Sequence, residues 1–210
     1  MSNILKMPVR PPARLGFKRV QKRQARDVEK SRQLNLFSRP ERPENSARIV
    51  SIPKSQPLSF FEEALRMDEQ GIAEARDFYE RAIEEGDSVA DAYCNLGILE
   101  FLADKTEAAF DCFSKSLRED PRHMESHYNL GNLYFEIGNL RLACEHYNMA
   151  AQISPEFPNI YFNLGLAHAM NEDLQAAVES LFKFKELVSE SEGHQADELL
   201  TNLKQTLDLR

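Results

Sequence analysis

Asparagine stands at positions 95, 129 and 163, each two residues ahead of a glycine (Gly97, Gly131, Gly165) in the same tripeptide, Asn-Leu-Gly. A carboxamide carries an acceptor oxygen and two donor hydrogens, so it can pair with a peptide unit whatever side chain that unit bears. Residues for bond-making chemistry are sparse by contrast. His123 and His127 flank Glu125, but the order His-Met-Glu-Ser-His lacks the glutamate next to the first histidine that a zinc-protease helix uses, and the pair reads as surface histidines at a helix start. The sequence has no phosphate-cradling glycine loop, no paired-cysteine metal spacing and no serine nucleophile elbow. Cys94, Cys112 and Cys144 make an odd count in a chain without the apolar stretch of a secretory signal, which points to reduced thiols; Cys94 reads as a small buried thiol. No catalytic residue, metal ligand or cofactor is assigned, and the expectation is a binding protein rather than an enzyme.

The elements that must position these asparagines follow from the spacing. The tripeptide returns every 34 residues, an alanine follows each glycine by twelve (Ala109, Ala143, Ala177), then comes a bulky apolar residue (Phe113, Tyr147, Leu181), and Pro121 and Pro155 close the first two copies. Tyr93, Leu96 and Leu99 fall at helical spacing before the Asp104-Lys105 turn, and Ala108, Ala109, Cys112 and Phe113 give a second helix its apolar face. This pattern resembles the tetratricopeptide repeat (TPR) family, whose helix-turn-helix units stack because one pair cannot bury its apolar face alone. The resemblance implies an all-α solenoid over residues 58–210. Residues 58–89 form a degenerate first repeat in which Ala64 replaces the glycine; 90–123, 124–157 and 158–191 are regular repeats, and 192–210 are a capping helix.

In that family the first helix of each pair lines a concave groove, and the asparagine before the glycine faces into it. The resemblance therefore implies that Asn95, Asn129 and Asn163 form a ladder for the backbone of an extended peptide. Beside it lie Cys94, Tyr128, Phe162, Ile98, Phe101, Asn132, Phe135, Leu166 and Met170. Tyr128, Phe162, Phe101 and Phe135 are the candidates to meet the side chains of a partner peptide with basic flanks; the alternative is that they are ordinary inter-repeat core. Members that grip the C-termini of heat-shock chaperones do so with lysines and arginines. Here the comparable positions hold Phe61, Cys94, Asn159 and Asn163, which argues against such a partner.

Charge divides the chain. Residues 1–57 hold 14 Lys/Arg against 4 Asp/Glu, whereas residues 58–210 hold 12 against 30. The first part carries seven of the ten prolines and reads as a largely disordered basic tail, with a transient helix admitted over 18–37. Such a tail can lie along phosphates, fold back on the acidic repeats as an internal ligand, or remain solvated. Within it, Gln33-Leu34-Asn35-Leu36-Phe37 looks like the pentapeptide that docks bacterial factors on the DNA sliding clamp, with Gln33 making the orienting hydrogen bonds and Leu36 and Phe37 entering an apolar pocket. No apolar run is long enough to span a membrane, and a cytoplasmic location is expected. The reading is an adaptor that takes a partner's peptide segment in its groove; the alternative is a DNA-associated factor recruited through the tail by nucleic acid or a clamp.

Overall fold

The computed structural model describes residues 16–21 and 57–208. Every regular element among them is helical. Four helix pairs follow one another: α1 (Phe60–Glu69) with α2 (Ala75–Glu84), α3 (Val89–Leu102) with α4 (Thr106–Glu119), α5 (Met124–Glu136) with α6 (Leu140–Ile153), and α7 (Pro158–Met170) with α8 (Leu174–Leu187). A short helix α9 (Glu190–Gly193) and one 3₁₀ turn (His194–Ala196) lead into α10 (Asp197–Asp208), which packs on α8. The capping element is therefore broken near its start, and its apolar stripe, Leu199, Leu200 and Leu203, is buried.

The glycine of each tripeptide is where the two helices of a pair come closest. A Cβ on Gly97 would sit 2.8 Å from the ring of Phe113, one on Gly131 2.5 Å from Tyr147, and one on Gly165 2.7 Å from Leu181. The 16-residue spacing from glycine to bulky residue is thus a packing contact, in which the large side chain fills the volume that the missing one leaves. In the first pair Ala64 and Tyr79 are 15 apart, because its turn is one residue shorter, and both are fully buried.

Each first helix ends the same way. Gly71, Asp104, Gly138 and Glu172 take positive φ immediately after the last helical turn. The next residue's N–H then closes a six-residue loop back onto the helix, as Ile72 to Met67, Lys105 to Glu100, Asn139 to Tyr134 and Asp173 to His168. This turn reverses the chain and sets the first helices side by side along one wall. Two of the four positions use a non-glycine residue in the left-handed region, at a local cost that the repeat packing offsets.

Candidate functional site

The groove wall is built from α1, α3 and α5, and it is occupied. Residues Gly16–Gln21 run along it without helical structure, so the stretch from 18 to 21 does not start the helix admitted for 18–37. The reason lies in where its backbone groups go. The N–H of Lys18 donates to Oδ1 of Asn129 at 2.9 Å, and Nδ2 of Asn129 donates back to the Lys18 carbonyl at 3.0 Å. One repeat earlier and two residues further along the segment, Asn95 does the same to Val20, at 2.8 and 3.0 Å. Nδ2 of Asn132, one turn after Asn129, donates to the Gly16 carbonyl at 3.2 Å. Alternate residues of an extended chain present their backbone groups to one side, which is why adjacent repeats engage residues two apart.

The carboxamides are held in turn. Nδ2 of Asn95 also donates to the Tyr79 hydroxyl at 3.2 Å, and that hydroxyl donates to Asp68 at 3.3 Å. Asn132 Oδ1 accepts from the Tyr147 hydroxyl at 2.7 Å and from Asn163 at 2.9 Å. Tyr79 and Tyr147 occupy the bulky position opposite the repeat alanine or glycine, so one side chain both fills the helix pair and orients a groove amide. Among the described residues, Asn163 bonds within the wall: its Nδ2 donates to the Tyr128 hydroxyl at 3.0 Å and to Asn132 at 2.9 Å.

Side chains of the segment meet built surroundings. Phe17 lies 4.4 Å from the ring of Phe101 and stacks on Phe113 at 6.2 Å. Val20 is 1% exposed, in the cluster that contains Cys94, Ile98 and Leu133. Lys18 Nζ sits 3.9 Å above the Phe157 ring, and Arg19 pairs with Asp68 at 2.8 Å. The Asp68 side chain is only 2% exposed. Burial pushes its carboxyl up from the ordinary range, opposed chiefly by the Arg19 charge. Of the four aromatic candidates, Phe101 meets the segment. Tyr128 faces Tyr147 and Phe157, Phe162 packs on Phe184, and Phe135 is buried in the core of the later repeats.

Asp68, Tyr79 and Phe157 escape the sequence reading. The available signal for Asp68 is its register: it falls where the next two repeats carry Phe101 and Phe135, a lone acid in an aromatic row. The histidines are buried rather than on the surface. His123 caps α5 by accepting from the Ser126 N–H and pairs with Asp91 at 2.8 Å, while His127 faces His146. Among the described residues no group of three or more His, Cys, Asp or Glu is placed to hold a metal, and no helix is long and apolar enough to cross a membrane. Burial pushes the Cys94 thiol up to about 12, so it is protonated and inert at neutral pH. Gln33, Leu34, Leu36 and Phe37 lie outside the described residues.

Comparison with known proteins agrees with this architecture. A TPR repeat model matches residues 131–171, and a second model, tetratricopeptide repeat, matches 112–145. No curated protein matches the chain in sequence. Among solved structures, MamA 41-end from Desulfovibrio magneticus RS-1 superposes with a TM-score of 0.61 at 21% identity, covering 71% of this chain and 84% of that one. A MamA RS-1 ArsTM double mutant gives 0.62 at 22% identity, over 71% and 83%. The first TPR of Spaghetti (RPAP3), solved bound to the HSP90 peptide SRMEEVD, gives 0.53 at 24% identity, over 57% and 93%. With its 34-residue period, its glycine-to-side-chain contacts and these matches, the chain carries tetratricopeptide repeats, matched in sequence over residues 112–171, and has the fold of a TPR solenoid.

Proposed function

We propose that this protein is a non-catalytic adaptor whose concave groove binds an extended peptide segment of a partner. The observation that carries the reading is the matched pair of bidentate contacts, Asn129 with Lys18 and Asn95 with Val20. Buried carboxamides that engage both the N–H and the C=O of alternate residues are a device for holding backbone whatever its sequence, and main-chain bonds of this kind are a recurrent source of peptide affinity. The charge supports a basic partner. The repeat region is acidic, and the groove's own acid, Asp68, is paired with an arginine. The acidic peptide bound by the RPAP3 repeats calls for the opposite charge, and Phe61 and Cys94 here are fully buried apolar groups. The nucleic-acid alternative loses two of its cations to the groove, because Lys18 and Arg19 are turned onto Phe157 and Asp68.

A random peptide library displayed on phage tests the reading. The bait is the full chain carrying Phe17→Ala and Val20→Asp, which weakens the resident segment. Enriched peptides should lose binding when Asn95→Ala and Asn129→Ala are added at unchanged helicity. An absence of enrichment, or peptides indifferent to both asparagines, would refute groove binding.

A further inference from the structure

We propose that the groove is a receptor for an extended segment of the pattern aromatic, any residue, arginine, β-branched apolar, as read from Phe17 to Val20, and that this chain's own copy is a resident competitor which a partner carrying the pattern displaces. The inference rests on the peptide-binding reading and adds to it the partner's chemistry and the state of the site before the partner arrives.

Backbone contacts through Asn95, Asn129 and Asn132 are indifferent to sequence, so selection must come from what the side chains meet. An aromatic ring is selected by the gap against Phe101 and Phe113, where Phe17 lies 4.4 Å from one and stacks on the other. The next position is permissive. Its side chain extends toward Phe157, where Lys18 gains a cation–π contact at 3.9 Å and stays half-buried.

Arginine is selected by Asp68. With the segment gone, the hydrogen-bonding support seen for this buried carboxylate comes from the Tyr79 hydroxyl, and a buried charge without a counter-charge is strongly disfavoured. A guanidinium reaches in on a long stem while its own side chain stays 38% exposed, which limits its desolvation. The fourth position is enclosed, since Val20 is 1% exposed, and a compact branched side chain suits it.

Every one of these contacts is of a kind that a segment from another chain supplies unchanged. The resident is a six-residue stretch separated from Pro57 by residues 22–56, and the four helix pairs stack on one another through their own faces. Because the resident is covalently joined to its receptor, a competitor meets it at an effective concentration on the order of millimolar. The groove therefore answers only partners that match the pattern well, or that arrive in a multivalent form.

The test is fluorescence anisotropy with a labelled synthetic peptide of residues 14–23, titrated with the full chain and with chains carrying Phe17→Ala/Val20→Asp or, should that pair impair folding, Arg19→Glu. The peptide is expected to bind either resident-weakened chain at least tenfold more tightly than the native chain, and to lose that binding when Asn129→Ala is added. A peptide with Arg19→Ala is expected to bind at least tenfold more weakly than the native peptide to a chain with Asp68, and no differently from it on an Asp68→Asn chain. Equal affinity for native and resident-weakened chains would overturn the competitor. Failure of the peptide to bind any chain would overturn the pattern. The phage selection does not depend on this pattern, so enrichment of asparagine-dependent peptides of another kind would sink this inference while leaving groove binding in place.

Discussion

Substituting Asn129 by alanine removes both hydrogen bonds that hold Lys18, one at 2.9 Å from its N–H and one at 3.0 Å to its carbonyl. A typical intramolecular hydrogen bond contributes about 0.5–1.5 kcal/mol net, so the pair is worth about 1–3 kcal/mol. The lower half of that range is expected, because Lys18 is only half-buried and water can reach the groups set free. That converts to a drop of about 5- to 25-fold in the equilibrium for seating the segment, at one decade per 1.4 kcal/mol. The assay is residue-resolved amide hydrogen exchange on the full chain. In the native protein the Lys18 and Val20 amides should be protected by docking. In Asn129→Ala both should speed up by the same factor, although Val20 is held by the untouched Asn95, because a short segment opens as one unit. Protection within α3 and α4 should not change. Faster exchange at Lys18 alone would mean that the contacts open independently. No change at either amide in a folded protein would show that the carboxamides do not hold the segment.

Gly131→Ala places a methyl 2.5 Å from the Tyr147 ring, which is fully buried and donates to Asn132; a loss of about 1–3 kcal/mol in urea-unfolding stability is expected, with weakened protection at the segment. Glu172→Gly relieves a left-handed non-glycine residue at φ 63 and should stabilise by about 1 kcal/mol, read as a Tm rise of about 2–4 °C. His127 Nε2 lies 3.2 Å from the Pro121 carbonyl and its Nδ1 3.1 Å from His146 Nδ1, so in the neutral pair His127 donates to the carbonyl and accepts from His146. Burial lowers His146 from 6.5 to about 4. The unfolded chain therefore binds the proton first, and stability that is present above about pH 6.5 is lost as pH falls toward 4. The His146 contribution to the slope is at most about 1.4 kcal/mol per pH unit, discounted for partial exposure, and the slope should be reduced in His146→Phe.

The 34-residue return of Asn-Leu-Gly, the glycine-to-ring spacing of 16 and the apolar faces of paired helices were legible before any coordinates, because they arise from contacts within one helix pair and between consecutive pairs. A helical period and a steric gap leave their mark on nearby residues. The same locality explains why the carboxamide stood out as a backbone-binding group, since its chemistry belongs to the residue itself.

Which asparagines face the groove was decided only in three dimensions. Asn163 is followed by the same Leu-Gly as Asn95 and Asn129, yet among the described residues its amide bonds to Tyr128 and Asn132. The Tyr79 and Tyr147 hydroxyls that aim the carboxamides read as apolar bulk in the helix pattern, because their polar ends act only once two helices meet. Asp68 and Arg19 are far apart along the chain, and the bonds from Val20 and Lys18 span 75 and 111 residues. Pairings at that separation depend on how the stacked repeats curve around the segment, a property of the assembled solenoid that no local period encodes.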